Sequence, residues 1–270
     1  MAKAIVESKG KSGRILRVDA PFDEALQTLR QAGCRYPISA EQLANARMKK
    51  GKRHSLSTNG SYTRHGFVYL RGEAPLIALD SPLLDLRLAR KATQANRDEN
   101  YFSTDDGEVY EKFSNIAKED ANKEPERRRV LVLPNQKNFM ISASDNTDVL
   151  KGVFRGSAIP YVDFLGYPIQ VYLVDKNTVN QQKGTLLTQM WLFRLGGDCG
   201  SGLNGNYRFL YCGYWVRGVS KTGEGTAQKV LPYTPGDVKL AEKELGRLAR
   251  ILQPGQLERL NSLVGKLKGE

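Results

Sequence analysis

The stretch from Trp191 to Val219 constrains the fold of this chain more than any other part of its sequence. It contains seven glycines among many Asn, Tyr and other aromatic residues, and it contains neither Lys nor Glu. Glycine permits tight, irregular backbone, so long regular elements are not expected throughout it. Tyr, Ser, Gly and Asn also dominate antibody paratopes, where rigid aromatics supply contact area and small polar residues supply hydrogen bonds. The composition indicates either a binding surface or a buried β-hairpin with a glycine-rich loop.

The residues around this stretch favour the binding surface, because their pattern is that of a known family. The pattern comprises Trp191, Leu195-Gly196-Gly197, Asn206-Tyr207-Arg208 and the closing Trp215-Val216-Arg217-Gly218-Val219. It resembles the variable region of diversity-generating retroelement proteins. The resemblance implies a C-type lectin fold related to formylglycine-generating enzymes, and an archaeal or archaeal-virus branch would suit the sequence. It covers 191–219 well and the upstream region only as a compatible pattern.

The resemblance also implies which residues are fixed and which are replaceable. In that family a reverse transcriptase copies a template with errors at adenines, so asparagine codons become codons for Tyr, Ser, Asp, Gly, Cys, Phe, Leu or Arg. The implied scaffold frame is Trp191, Gly196, Gly197, Arg208, Arg217 and Gly218. The implied ligand-binding set is Asp198, Cys199, Ser201, Leu203, Asn204, Asn206, Tyr207, Phe209, Tyr211, Cys212, Tyr214 and Trp215. Two departures from the family are a long extension beyond the Arg-Gly-Val close and a lower content of Trp.

Hydrophobic periodicity in the rest of the chain predicts an α+β fold of short, irregular strands and packed helices. Strands are predicted over 4–7, 14–18, 67–70, 75–79, 129–133, 139–142, 169–175, 185–195 and 215–220. Helices are predicted over 22–32, 40–49, 104–121 and 146–154. Residues 83–100 are mixed and charge-rich, and no element is predicted there. Amphipathic stripes over 237–252 and 257–267 predict a C-terminal αα-hairpin.

These elements suggest a two-part organisation. We expect a C-type lectin-like domain over 1–222, including an N-terminal β/α elaboration. We expect 223–270 to form a helical extension that docks on this domain, because isolated helices of that length are marginally stable.

The net charge of +12 raises nucleic-acid binding as an alternative function. Two basic clusters could contact phosphates, one over 47–53 and the other over 127–129. Both clusters could instead be solvated flanks, and the first falls at a predicted helix end, where cations suit the helix dipole.

Sequence motifs for catalysis are weak. His54 and His65 belong to no metalloprotease or nucleophile-elbow pattern. The glycine-rich stretch lacks the Gly-Lys-Ser/Thr ending of a phosphate-binding loop. A copper-dependent oxidase of the formylglycine-generating type is a further alternative, since Cys199 and Cys212 could imitate its cysteine pair. These cysteines fall at positions assigned as variable, so we expect a non-enzymatic protein without a metal or cofactor.

Partner and compartment are inferred only broadly. We expect a macromolecular ligand, with protein favoured, and a weak contact with nucleic acid or an anionic surface is left open. No apolar run is long enough to span a membrane. The first fourteen residues lack the apolar block of a signal peptide, and the three cysteines form no disulfide framework, so a cytoplasmic folding environment is expected.

Overall fold

The computed structural model describes residues 2–10, 13–105, 107–195, 202–206 and 209–220, which form a mixed α+β fold. The strands are β1 (Ala4–Gly10), β2 (Gly13–Asp19), β3 (Ser61–Tyr69), β4 (Leu76–Ala78), β5 (Val130–Val132), β6 (Asn138–Ile141), β7 (Ile169–Tyr172), β8 (Leu186–Leu192), β9 (Gly202–Asn204) and β10 (Trp215–Ser220). The helices are α1 (Phe22–Gln31), α2 (Ala40–Lys50), α3 (Ser55–Thr58), α4 (Leu86–Arg97), α5 (Glu108–Glu119), α6 (Thr147–Phe154), α7 (Ala158–Leu165) and α8 (Lys176–Gln181). The predicted α+β class is confirmed.

All the described strands join one sheet, in which the order is β1-β2-β10-β3-β8-β9-β7-β6. Strand β4 also pairs with β3, and β5 extends that branch. Strand β10 lies antiparallel to β2 and parallel to β3, so the last described strand is inserted beside the first hairpin. The first hairpin and the last described strand are therefore neighbours in the sheet.

Helices cover both faces of the sheet, and two apolar clusters result. One cluster is built on α2, α6 and α7, and the other on α1, α4 and α5. Neighbouring residues of β3, Phe67 and Val68, belong to opposite clusters, as the alternation of side chains along a strand requires. All seven residues of β8 are buried. A strand covered on both faces needs no alternation of apolar and polar residues, which explains the largely apolar sequence over 185–195.

The N-terminal unit follows the sequence prediction closely. Helix α1 buries Phe22, Leu26 and Leu29 and is followed by Gly33, at which φ is +81°. Helix α2 begins after Ser39, whose hydroxyl accepts from the Gln42 N–H while the Gln42 side chain accepts from the Ser39 N–H. Such a capping box satisfies backbone donors that the first helical turn leaves free.

The absence of an element over 83–100 was a wrong prediction, because α4 occupies most of this segment. Its buried face consists of the small or polar residues Ala89, Ala92, Thr93 and Asn96. Such a face contains no large apolar side chain to mark it in the sequence, although Asp85 caps the helix by accepting from the Arg87 N–H at 2.8 Å. Helices α7 and α8 were also not predicted. The predicted αα-hairpin over 237–267, and with it the extension 223–270, lies outside the described residues.

His65 on β3 is buried, and both nitrogens of its ring are engaged. The Ala40 N–H donates to Nε2 at 3.1 Å, and Nδ1 is 2.7 Å from the Leu79 carbonyl oxygen, to which it donates. Only a neutral ring can accept at Nε2. Burial lowers the pKa of His65 from its ordinary value of 6.5 to about 4. His65 is therefore a structural link between α2 and the sheet.

We expect this histidine to make the fold acid-sensitive. The free energy of unfolding should fall by about 3 kcal/mol as the pH drops from about 6.5 to about 4, because the unfolded chain binds a proton that the folded chain excludes. Urea unfolding at several pH values in this window measures the loss. The variant His65→Gln should lack most of this dependence, and an equal dependence in both proteins would contradict the assignment.

The buried carboxylate of Asp120 provides an internal comparison at lower pH. Hydrogen bonds from Arg129 and Lys123 hold the pKa of Asp120 well below its usual range. Its contribution to stability is present above its ordinary pKa and is lost only as the pH falls below about 4. Of these two groups, His65 is the one whose contribution is lost mainly between pH about 6.5 and about 4.

Candidate ligand-binding surface

Three strands position the described part of the segment 191–219. In the β8–β9 pairing, Trp191 stands opposite Asn204, and Leu192 stands opposite Leu203. Strand β9 also pairs in parallel with β7, and β10 lies between β2 and β3. Both ends of the segment and its β9 portion are consequently held in the sheet.

Strand β9 alternates between the interior and the surface. Leu203 has no exposed surface, Asn204 is half-buried, Gly205 is buried and Asn206 is exposed. The assignment of Leu203 to the ligand-binding set is therefore corrected, because a side chain packed in the core between β7 and β8 does not reach a ligand. Leu203 belongs to the frame.

Gly205 is held by three hydrogen bonds. Its N–H donates to the Tyr172 carbonyl at 2.8 Å, and its own carbonyl accepts from the Thr188 hydroxyl at 2.6 Å and from the Tyr69 hydroxyl at 3.3 Å. A β-carbon at this position would lie 2.6 Å from the Phe67 ring. Only glycine fits between these aromatic side chains.

Leu210 fixes the loop that precedes β10. Its side chain is buried, and its carbonyl accepts from the Phe22 N–H at the start of α1, at 2.7 Å. The Leu210 N–H donates to Oδ1 of Asn96 on α4, at 3.4 Å. One buried residue thus ties the loop 209–214 to two helices.

Arg217 donates hydrogen bonds inside the protein, to a carboxylate and to a backbone carbonyl. Its guanidinium is buried and donates to both carboxylate oxygens of Glu7, at 2.5 and 2.9 Å, and to the Gly60 carbonyl at 2.8 Å. Burial acts to raise the pKa of Glu7, but the bonds from Arg217 outweigh it and the pKa is lowered. At the neighbouring Gly218, a β-carbon would lie 2.8 Å from that of Cys34. Arg217 and Gly218 therefore both make buried contacts within the fold, as is expected of residues in the scaffold frame.

The remaining described members of the predicted set have exposed surface. Phe209 is 40% exposed and Asn206 is exposed, while the others are half-buried: Asn204, Tyr211, Cys212, Tyr214 and Trp215. The Tyr101 hydroxyl contacts the Asn206 side chain and donates to its carbonyl at 3.4 Å. Tyr101 therefore supports Asn206 from outside the segment.

A row of aromatic rings runs from the core to this surface. Phe22 and Tyr62 are fully buried, with ring centroids 5.5 Å apart, and Tyr62 lies 4.9 Å from Trp191. Trp191 contacts Tyr214 at 5.4 Å, and Phe209 lies 6.2 Å from Tyr214 and 6.3 Å from Tyr211. These are edge-on or tilted geometries, which aromatic pairs prefer. The exposed rings are therefore packed on a buried aromatic base.

Two guanidinium groups lie over the ring of Trp215. The Arg17 guanidinium lies 4.2 Å from its ring centroid, and that of Arg217 lies 5.0 Å away. Such cation–π contacts restrain the ring while one part of it stays exposed. Trp215 thus stands at the boundary between the frame and the exposed set.

Several predicted residues lie outside the described part of the chain. These are Gly196, Gly197, Asp198, Cys199, Ser201, Tyr207 and Arg208. The proposed copper pair of Cys199 and Cys212 includes one of them, and Cys212 itself is half-buried.

The basic clusters differ from the expected arrangement. Arg47 is fully buried and donates to the Leu56 carbonyl, the Asn59 carbonyl and the Tyr161 hydroxyl, so it cannot contact a phosphate. In the second cluster, Arg128 pairs with Asp148, and Arg129 pairs with Asp120 and Glu119. These partners reduce the positive potential that nucleic-acid binding needs.

Both histidines make structural hydrogen bonds. Nδ1 of His54 accepts from the Leu56 N–H at 3.2 Å and caps α3, and His65 is the buried link described above. Within the described ranges, no three His, Cys, Asp or Glu residues are grouped to hold a metal ion. The same residues include no helix long and apolar enough to cross a membrane.

Sequence reasoning missed the residues outside 191–219 that support the surface. Glu7, Asn96 and Tyr101 each contact the segment from far away in the chain. The only signal for Glu7 was an acidic residue within a predicted strand. No local pattern marked Asn96, since the helix that carries it was not predicted.

Comparison with known proteins finds one distant structural likeness. A solved structure described as "Accommodation of massive sequence variation in Nanoarchaeota by the C-type lectin fold" is 14% identical to the chain, with a TM-score of 0.48. The alignment covers 78% of this chain and 98% of that chain. No protein-family model and no curated protein matches the chain.

Proposed function

We propose that this protein is a non-enzymatic binding protein of the diversity-generating retroelement type. It displays a hypervariable surface, drawn from residues 198–215, on a fixed C-type lectin-like scaffold. The ligand is a macromolecular surface, most simply that of a protein. The exposed aromatic residues are the anchors, because Tyr and Trp are enriched at binding hot spots.

One observation carries the proposal, namely the separation of buried and exposed residues within a single short segment. Leu203, Gly205, Leu210, Arg217 and Gly218 make specific buried contacts. The residues between them have exposed surface: Asn204, Asn206, Phe209, Tyr211, Cys212 and Tyr214. A scaffold that tolerates changing side chains requires this division.

The exposed side chains also suit the proposed mechanism of variation. Asn, Tyr, Phe and Cys are all on the list of residues that adenine-directed copying yields from asparagine codons. The buried Gly205 and Arg217 have contacts that no other residue reproduces, so a template should spare their codons.

The nucleotide sequence beside the gene tests the retroelement assignment. We expect a near-copy of codons 191–219 that differs only at template adenines, adjacent to a reverse-transcriptase gene. Differences at the codons for the exposed residues, with identity at Gly205 and Arg217, support the proposal. Absence of such a repeat contradicts diversification by a retroelement.

The non-enzymatic part has its own test, because formylglycine-generating enzymes bind copper through a cysteine pair. Purified protein should take up no copper and should consume no oxygen with it. Copper-dependent oxygen consumption that is lost in Cys199→Ser, while Cys34→Ser retains it, would establish the oxidase instead.

A further inference from the structure

A groove of about 340 Å³ lies between α2 and the strands β1, β2 and β10. Its volume falls in the range of small-molecule sites. Val219 lines it, whereas Trp215 stands at the other end of β10, so the groove is separate from the candidate ligand-binding surface.

The helix wall of this groove is polar where close packing on a sheet would need apolar residues. Gln42, Asn45, Ala46 and Lys49 follow the i, i+3, i+4, i+7 spacing and therefore share one face of α2. Ala46 is the one apolar residue among them. The other side of the helix is buried through Leu43, Ala44 and Arg47. The polar face therefore forms the wall of the groove.

The charges that line the groove all have one sign. Lys49 and Lys50 come from the end of α2, and Lys9 comes from β1 on the opposite wall, and the lining residues that the structure describes include no carboxylate. Compensation of the helix dipole accounts for Lys49 and Lys50 but not for Lys9. Three ammonium groups around one concavity attract an anion.

The floor of the groove is apolar. Ile15 and Val219 lie beneath the helix, and both pack, with Ala46, against the buried core. The Ser8 hydroxyl and the side-chain amide of Asn45 add hydrogen-bonding groups at the sides. An apolar floor under a cationic rim matches a ligand that has an apolar body and a negatively charged group.

We propose that this groove is a binding site for a small amphipathic anion, with a phosphate, sulfate or carboxylate on a flat apolar body. The apolar body lies on Ile15 and Val219, and the anionic group contacts Lys9, Lys49 and Lys50. This site goes beyond the proposed function and does not depend on it.

Isothermal titration calorimetry of the full chain with 2-naphthyl phosphate tests the proposal. Inorganic phosphate and 2-naphthol represent the two halves of the probe. We expect 2-naphthyl phosphate to bind at least roughly ten-fold more tightly than either half, because each half loses one set of contacts. The variant Lys49→Gln/Lys50→Gln should weaken binding of 2-naphthyl phosphate by at least roughly ten-fold, since charge-assisted contacts are lost.

The matched control is Lys112→Gln/Lys118→Gln, which removes the same charge from exposed positions on α5. This control should change the affinity by less than roughly two-fold, because exposed charges beyond a Debye length are screened. Ala46→Leu, which fills the floor, should weaken 2-naphthyl phosphate more than inorganic phosphate. Thermal unfolding of each variant verifies that it is folded.

Three results would overturn the proposal. The first is an absence of saturable binding of 2-naphthyl phosphate to the unmodified chain. The second is equal weakening in both double variants, which would mean attraction by overall charge. The third is binding of a single-stranded oligonucleotide that depends on Lys49 and Lys50 without any binding of 2-naphthyl phosphate, which would assign the lysines to nucleic acid.

Discussion

Replacing Arg217 by Met is expected to lower the free energy of unfolding by about 3–5 kcal/mol. The substitution keeps an apolar stem of similar length but leaves the buried Glu7 carboxylate without its bidentate partner, and it frees the Gly60 carbonyl. An unpaired buried charge is among the costliest defects in a folded protein. Chemical denaturation of the purified variant gives the loss directly.

Two control proteins separate this effect from ordinary loss of an ion pair. The double variant Glu7→Leu/Arg217→Met should be more stable than Arg217→Met alone, because the unpaired carboxylate is gone. Arg64→Met removes the pair with Asp80, whose side chain is 61% exposed, and should cost no more than about 1 kcal/mol. If Arg217→Met costs no more than Arg64→Met, the framework role of Arg217 is wrong.

Replacing Gly205 by Ala is expected to destabilise the fold by about 3 kcal/mol. The added methyl group would lie 2.6 Å from the Phe67 ring, and the backbone cannot retreat because its N–H and carbonyl are bonded to Tyr172 and Thr188. The same methyl group would also press on the Tyr69 hydroxyl. Thermal and urea unfolding measure the effect.

Gly213 supplies the matched control within the same segment. A β-carbon there would lie 3.9 Å from the nearest atom, which is an ordinary contact. Gly213→Ala should therefore change stability by no more than about 0.5 kcal/mol. Equal costs at Gly205 and Gly213 would show that the segment is not held as described.

Most of the regular elements could be predicted from the sequence because their apolar period is strong. Helix α1 is an example, since Phe22, Leu26 and Leu29 form a helical stripe. Helix α4 could not be predicted in the same way. Its buried face is made of Ala89, Ala92 and Thr93, which pack against α1 but include none of the large apolar side chains that mark the buried face of α1.

The candidate surface was predicted in part, because composition identifies its residue types but not their directions. Leu203 and Asn204 are adjacent in the same glycine-rich stretch, yet one is in the core and the other near the surface. That difference depends on the pairing of β9 with both β7 and β8, which is a long-range property. The contacts of Glu7 and Asn96 with this segment could not be predicted either, because they also join residues that are far apart in the chain.

The basic clusters were interpreted from sequence alone, where the burial and the hydrogen-bond partners of each residue are not visible. The run over 47–53 contains the buried Arg47, whose donors are all directed to internal acceptors. Its neighbours Lys49 and Lys50 face the groove instead. Charge in a sequence therefore indicates a function only after burial and pairing are known.

A saturation library over 202–206 and 209–218, sorted for resistance to proteolysis, tests most directly the claim that a fixed frame carries replaceable side chains. Most substitutions at Asn204, Asn206, Phe209, Tyr211 and Tyr214 should retain the folded state, because these side chains reach the surface. Few should survive at the buried positions Leu203, Gly205, Leu210, Arg217 and Gly218. Equal intolerance at the exposed and buried positions would contradict the account, since a surface that cannot change its side chains cannot be hypervariable.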